Sequence, residues 1–234
     1  MSNVSESEFD RFADEYRNQH ATNIAVTGES PEFFAEYKII DIAAVLKARR
    51  LSDGAPRVLD FGAGIGNSVP HFRKHLPNST ITCVDVSSKS LELGRSNYGD
   101  LATFVHFDGD ELPFADGSFD VVLVACVMHH IDHAKHVAVL SQLRRMLSPT
   151  GLLFVYEHNP YNPLTVNAVN TCPFDENAVL VKPGRMSAAL AAAGFSKSAV
   201  RFRIFFPHFL RKLRVMEKYL RWCPLGAQYV AIAE

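Results

Sequence analysis

The chain is expected to fold as one α/β domain, with a mostly parallel sheet and helices on both faces. Three observations carry that expectation. Short β-branched runs alternate with helix-patterned segments from residue 57 onward, which is the pattern of βαβ units. A strand-like run, Val58-Leu-Asp-Phe, passes through glycines directly into a helical segment. And 234 residues, 47% of them hydrophobic, are enough to bury a full core without disulfide or metal staples.

The elements follow in order. Phe9, Phe12, Ala13 and Tyr16 stand at helical spacing, as do Phe33, Tyr37, Ile40 and Leu46, so residues 1–50 read as an N-terminal helical cap. Ser30-Pro31-Glu32 opens the second cap helix: a capping hydroxyl, a proline suited to the first turn, and an acid against the helix dipole. Strands are expected at 57–61, 80–85, 102–107, 119–126 and 151–157, with helices at 67–75, 88–98 and 133–147 between them. Residues 55–157 form the central unit, and 158–234 a segment beside it. In that last segment an Ala-rich helix closes at Gly194, and 198–206 and 227–233 read as strands that pair antiparallel. Between them a helix is expected over 209–222, its apolar side formed by Phe209, Leu213, Met216 and Leu220.

Composition excludes several classes. The apolar fraction rules out a disordered chain. Val121 to Met128, the longest apolar run, is far too short to span a bilayer. Cys83, Cys126, Cys172 and Cys223 form no C-x-x-C pair, which argues against a zinc site and for a reducing compartment. The acidic opening residues read as neither a signal nor a transit peptide. A cytoplasmic protein is therefore expected. The net charge of −1 gives no drive toward nucleic acid or stable membrane insertion. Basic residues do gather at 197–221, among them Arg211, Arg214 and Lys218. They form either an ordinary solvated face or a rim for an anionic small molecule.

The most informative stretch is Val58-Leu-Asp60-Phe-Gly62-Ala63-Gly64-Ile-Gly66-Asn-Ser68. Glycines let a ligand approach the backbone, and the helix that follows offers unpaired N–H donors. The spacing is G-x-G-x-G rather than the G-x-G-x-x-G of pyrophosphate binders. Asp60 just before the loop would repel a pyrophosphate and attract an ammonium group. Asp85 ends the next strand, 21 residues after Gly64, where an acid accepts hydrogen bonds from ribose hydroxyls. A ribose joined to an amino acid, without phosphate, describes S-adenosylmethionine.

Here the chain resembles the class I S-adenosylmethionine-dependent methyltransferases, in the subgroup with an L-P-F…F-D signature. The resemblance rests on Val58 to Gly66, Asp85, and Asp108-Gly-Asp-Glu-Leu-Pro-Phe114 with Phe119-Asp120. It continues through His129-His130-Ile131 and Arg145-Met-Leu-Ser-Pro149-Thr-Gly151, and covers residues 55–157 well. It implies a Rossmann-like sheet of seven strands with the last antiparallel. It also implies that Asp108 meets the adenine amino group and the Gly109 backbone the ring edge. Val86 would flank Asp85 in the same site, Ala125 and Cys126 would line the methionine arm, and Tyr16 would fold over the sulfonium. Thr150 stands where many members have glycine, which tightens one turn only.

Methyl transfer is an in-line displacement, so alignment of nucleophile, methyl and sulfur matters most. A base is needed only when the acceptor must lose a proton. Strand C-termini are where such groups belong, which selects His130 as base and Glu157 as a residue holding the acceptor. His129, His130, His133 and His136 also have partial metal-ligand spacing. No carboxylate but Asp132 stands nearby, so they read as polar residues on a loop and helix edge, and no metal is expected. Asn159-Pro160-Tyr161-Asn162-Pro163 is expected to turn the chain across the pocket mouth. The function so read is methyl transfer to O, N or C of a small-molecule acceptor. A nicotinamide-dependent oxidoreductase and a methyltransferase-like binding module without activity stand as alternatives.

Overall fold

The structure, a computed structural model, describes residues 28–51, 54–175 and 177–234; Tyr16 and the first expected cap helix lie outside them. Seven strands form one sheet: β1 (Arg57–Phe61), β2 (Thr80–Asp85), β3 (Thr103–His106), β4 (Phe119–Ala125), β5 (Leu147–His158), β6 (Ser198–Arg203) and β7 (Gln228–Ala233). Their order is β3-β2-β1-β4-β5-β7-β6. β1 to β5 are parallel, and β7 runs antiparallel between β5 and β6. This is the Rossmann-like arrangement expected from the sequence, with the final strand reversed.

Alternate residues of the central strands go to opposite faces, as a pleated strand requires. Leu59, Val122, Val124 and Leu153 pack on one face against α4 (His136–Met146) and α6 (Pro183–Ala192). Val58, Val121, Leu123 and Phe154 pack on the other against α1 (Pro31–Ala48), α2 (Val69–His75) and α3 (Ser88–Tyr98). Both faces are therefore covered, which explains why these strands read as continuous apolar runs. The start of α1 matches the sequence reading: the Ser30 hydroxyl accepts from the Phe33 N–H at 3.3 Å, and Pro31 opens the helix. Among the described residues no helix is long and apolar enough to cross a membrane.

Two regions differ from expectation. The helix expected at 209–222 is a 3-10 segment, His208–Met216, interrupted at Leu210, followed by the single turn α7 (Glu217–Leu220). None of its residues is buried. Polar contacts hold it instead: Glu217 accepts from the Phe205 and Phe206 N–H groups at 3.0 and 3.3 Å, and the Arg214 guanidinium donates to the Phe206 carbonyl at 2.9 Å. With its apolar residues left exposed, the segment gains no packing that would complete a regular α-helix. The second difference is α5 (Pro163–Asn170), which the repeated Asn-Pro concealed. Asn162 caps it, accepting from Leu164 and Thr165 N–H groups at 3.0 and 3.1 Å, and Pro163 takes the first helical position, where a missing N–H costs nothing.

The Asn-Pro segment is tied to the loop before β7. The Asn159 side chain donates to the carbonyls of Pro224 and Gly226 at 2.9 and 2.7 Å, and Asn162 donates to Leu225 at 2.8 Å. Asn159 is fully buried, so Asn159→Ala strands two carbonyls without donors and should lower unfolding free energy by about 2–4 kcal/mol. Asn162→Ala, at a partly exposed cap, should cost about 1 kcal/mol. Urea denaturation of the two variants checks the difference; equal losses would show that Asn159 does not anchor the 224–227 loop.

Candidate functional site

The strand order reverses at β1, which has β2 on one side and β4 on the other. Chains leaving such neighbours in opposite directions open a crevice at the strand C-termini. A cavity of about 890 Å³ occupies that position, near the upper end of the roughly 300–1,000 Å³ usual for ligand pockets.

The glycine loop forms one wall. Gly62, Gly64 and Gly66 all have positive φ, at 73°, 53° and 78°. A Cβ on Gly62 would lie 2.4 Å from the Val127 side chain, whereas one on Gly64 would meet no protein atom within 4 Å. Gly62 is thus required by packing, and Gly64 leaves open space toward the cavity. Gly66 does not line the cavity; a Cβ there would press on Phe104 at 3.0 Å. Asp60, Gly62, Ala63 and Gly64 do line it, as do Asp85, Val86, Asp108, Gly109, Ala125 and Cys126. The fold therefore gathers ten of the eleven positions singled out for cofactor binding.

Asp85 is nearly buried and accepts from the Gly64 N–H at 2.7 Å and the Ser87 N–H at 2.9 Å. Burial raises its carboxyl pKa, opposed by these backbone donors. It ties the loop to the end of β2 while keeping lone pairs for a ligand. Asp60 accepts from the Ser68 hydroxyl. Burial pushes its carboxyl up to about 6, the Ser68 bond working against the rise. A positive φ of 91° makes Gly109 a backbone requirement, and Asp108 bends the same turn by accepting from the Asp110 N–H at 3.0 Å. Cys126, at the end of β4, also adopts positive φ, at 58°, uncommon for a side-chain-bearing residue and typical of functional turns.

Residues that sequence reasoning passed over complete the lining. Lys38 of α1 is buried at the cavity, its ammonium donating to the Phe34 carbonyl at 2.7 Å, and burial lowers its pKa. It gave a signal only as a charge on the buried stripe formed by Phe34, Tyr37, Ile39 and Ile42. Gln228 at the start of β7 accepts from the Tyr37 hydroxyl. Asp175, in the 3-10 turn Pro173–Asp175, also faces the cavity. No local pattern marks it.

The histidines divide. β4 is followed by a 3-10 turn, Met128–His130, which sends His129 inward. His129 Nδ1 lies 2.6 Å from Glu157, whose other oxygen accepts from the Met128 N–H at 2.8 Å. His129 Nε2 lies 3.4 Å, and His130 Nε2 3.5 Å, from Asp175 Oδ1. Burial opposes charge on His129, but Glu157 and Asp175 outweigh it and hold the imidazole well above its ordinary range. The same pairing holds Glu157 below its ordinary value despite burial, and Asp175 at about 2. Burial and the neighbouring His129 charge take both His130 and His158 down to about 4. His130 is thus a neutral imidazole facing the cavity. Glu157 has no exposed surface and does not line the cavity; it orients His129 and the 128–130 turn. His133 and His136 are turned away to the carbonyls of Val179 (3.1 Å) and Met128 (2.8 Å).

The rest of the lining is largely apolar, and includes Leu164, Ile204, Phe205, Phe206 and Phe209. Arg214 also reaches the cavity, with its guanidinium engaged by Glu29 and stacked 4.5 Å over Phe33.

Comparison with known proteins agrees with this geometry. Residues 58–151 match the model of a methyltransferase domain family. The ubiquinone/menaquinone biosynthesis C-methyltransferase UbiE of Hahella chejuensis is 31% identical over 124 residues, covering 50% of this chain and 49% of that protein. That of Ectopseudomonas mendocina is 34% identical over 125 residues, again 50% of this chain and 48% of the relative. The chain spans about half the length of the curated relatives it matches. A possible histamine N-methyltransferase from Thermotoga maritima superposes with a TM-score of 0.65 at 20% identity, covering 97% of this chain and 98% of that one. An S-adenosylmethionine-dependent methyltransferase from Archaeoglobus fulgidus gives 0.61 at 18% identity, with 83% and 93% covered. At such identities these two solved structures speak for the fold. The matched segment, residues 58–151, thus carries the glycine loop and Asp85 of this crevice and is similar to a methyltransferase domain.

Proposed function

We propose that the protein transfers the methyl group of S-adenosylmethionine to an apolar ring compound of small size, with a ring carbon as the target that its sequence relatives favour. One observation carries the reading: the glycine loop, Asp60, Asp85 and Asp108 share a single cavity with the aromatic side chains Phe205, Phe206 and Phe209. The volume accommodates a donor and an acceptor together. All four cysteines are free thiols, which supports a reducing compartment such as the cytoplasm.

Each end of the donor has a partner of suitable chemistry. Asp85 accepts from the ribose hydroxyls, as strand-end acids do in this fold. Asp60 attracts the ammonium of the methionine part, through water or directly. Asp108 and the Gly109 backbone take the adenine. Transfer consumes the positive charge on sulfur, so the protein's main contribution is alignment in a water-poor cavity. His130, neutral and cavity-facing, accepts a hydrogen bond from a polar group of the acceptor; its low basicity suits positioning better than full proton removal. Glu157 acts through His129. Arg214 is held by Glu29, so an anionic acceptor would have to compete for it.

Calorimetric titration with S-adenosylhomocysteine and with NAD tests the cofactor, and turnover on a panel of hydroxylated rings, amines and carboxylic acids tests the reaction. Tight binding of S-adenosylhomocysteine with ring methylation is expected. Preference for NAD would favour the oxidoreductase, and binding without turnover on any acceptor would favour a module without activity. Asp85→Ala should weaken S-adenosylhomocysteine by about 1.5–3 kcal/mol, the range for hydrogen bonds to a charged group. Gly64→Val should abolish binding, because its side chain enters ligand space rather than protein, and should also lower stability, because a β-branched residue is strained at φ 53°.

Affinity should also depend on pH. With its carboxyl at about 6 in the free protein, Asp60 is protonated below that pH and must lose the proton to pair with an ammonium. Binding therefore releases a proton near pH 6, and affinity should rise by up to about tenfold per unit toward pH 6 and level off above it. Calorimetry in buffers of different ionisation enthalpy measures the released proton. An equal pH dependence in Asp60→Asn would remove the assignment.

A further inference from the structure

We propose that His129, His130 and Asp175 form a binding site for a divalent transition-metal ion, with Zn²⁺ the best match to its donors. The ligating atoms of the three residues lie within 4.8 Å of one another. Asp175 Oδ1 stands 3.4 Å from one imidazole Nε2 and 3.5 Å from the other. Those separations exceed the 2.7–3.2 Å of ordinary N–H···O bonds. They match the edge of a tetrahedron about a metal: bonds of roughly 2.0–2.2 Å to nitrogen and oxygen place neighbouring ligands about 3.4 Å apart.

The outer contacts point the same way. His129 turns its Nδ1 to Glu157 at 2.6 Å, which leaves Nε2 directed at the shared point. A carboxylate behind a histidine is the arrangement that fixes the ring and raises its basicity at metal centres. Glu157 is itself fixed by the Met128 N–H at 2.8 Å, so the support is rigid. His129, His130 and Asp175 all face the cavity, and three protein ligands leave a fourth position open to it, as in catalytic rather than structural zinc sites. The sequence spacing concealed the set because Asp175 arrives from a turn 45 residues beyond His130. Where the methyl-transfer reading holds, the open position would take an oxygen of the acceptor ring, and with the ion bound this contact replaces the hydrogen bond to His130. The ion site itself stands apart from that reading.

The test uses the full chain freed of metal with a chelator, then titrated with Co²⁺ followed by visible absorption, with Zn²⁺ as competitor. One Co²⁺ per chain should bind with the intense bands of tetrahedral coordination, and Zn²⁺ should displace it. Asp175→Asn and His130→Ala, whose side chains are partly exposed, should each weaken Co²⁺ by more than about tenfold, and Glu157→Gln by about 10–100-fold. His133→Ala, on a different surface, should bind as the parent does. The proposal is overturned if neither ion binds more tightly than millimolar, or if Asp175→Asn and His130→Ala bind Co²⁺ as well as the parent. Loss in His133→Ala with retention in Asp175→Asn also overturns it. Circular dichroism of the same metal-free samples confirms that each variant is folded, and their S-adenosylhomocysteine titration separates failure of the ion site from failure of the donor assignment.

Discussion

The pairing of β1 with β2 on one edge and β4 on the other is the constraint from which the remaining geometry follows. A parallel strand placed in the middle of the sheet sends its successor to one side, while the strands after β3 must return to the other. The loops after β1 and β4 then face each other across a gap. Gly62 and Val127 meet there with no space for a Cβ, so the gap is closed at its base and open above. Every polar group proposed to bind the donor, and so assigned to a donor half, stands on a strand end or within a few residues of one. Hydrogen bonds of the sheet interior set their positions, which makes this half rigid before any ligand arrives.

This rigid half was legible in the sequence because each of its signals is local. β1 and β2 begin and end where the apolar runs do, since both faces are buried and the period leaves no ambiguity. Glycine spacing and the interval to Asp85 lie within two elements joined by one turn, and the Asp85 bond to Gly64 joins the ends of that interval. The acceptor half was not legible in the same way. Contacts such as His130 with Asp175, or Asn159 with Gly226, join residues far apart in the chain, and no periodicity announces them. Asp175 sits in a short turn among residues of ordinary loop composition. The 209–222 segment misled for a different reason: its helical spacing of apolar residues is real, but Phe209, Val215, Tyr219 and Trp222 remain largely exposed, so pattern alone did not decide burial.

Charge distribution separates the two halves further. Asp60 and Asp85 are buried acids whose protonation is favoured by burial, a tension that a cationic ligand relieves. Glu157 and Asp175 are buried acids already compensated by His129. Lys38 stands between these groups and contacts the faces of Tyr37 and Tyr156 at 5.1 and 5.9 Å, where burial weakens its hold on the proton. The donor half therefore holds acids without a cationic partner of their own, whereas Glu157 and Asp175 are already paired with His129. That difference fits a donor that brings positive charge and an acceptor that brings little.

The halves also differ in how they are held. Removing a side chain from the sheet interior disturbs one of the two large cores that cover its faces. The acceptor half depends instead on a few side-chain to backbone bonds: Asn159 and Asn162 to the 224–227 loop, Thr165 to Ala227 at 3.0 Å, and Glu217 to the end of β6. The more exposed of them, from Asn162 and Glu217, contribute about 1 kcal/mol each and exchange readily with water at a rim. A ligand enclosed beneath Leu164, Phe206 and Phe209 has to enter past this edge of the fold. Under the proposed function, the exposed polar bonds at this edge, beside a donor half locked by the sheet, would admit an acceptor without disturbing the donor alignment on which an in-line transfer depends.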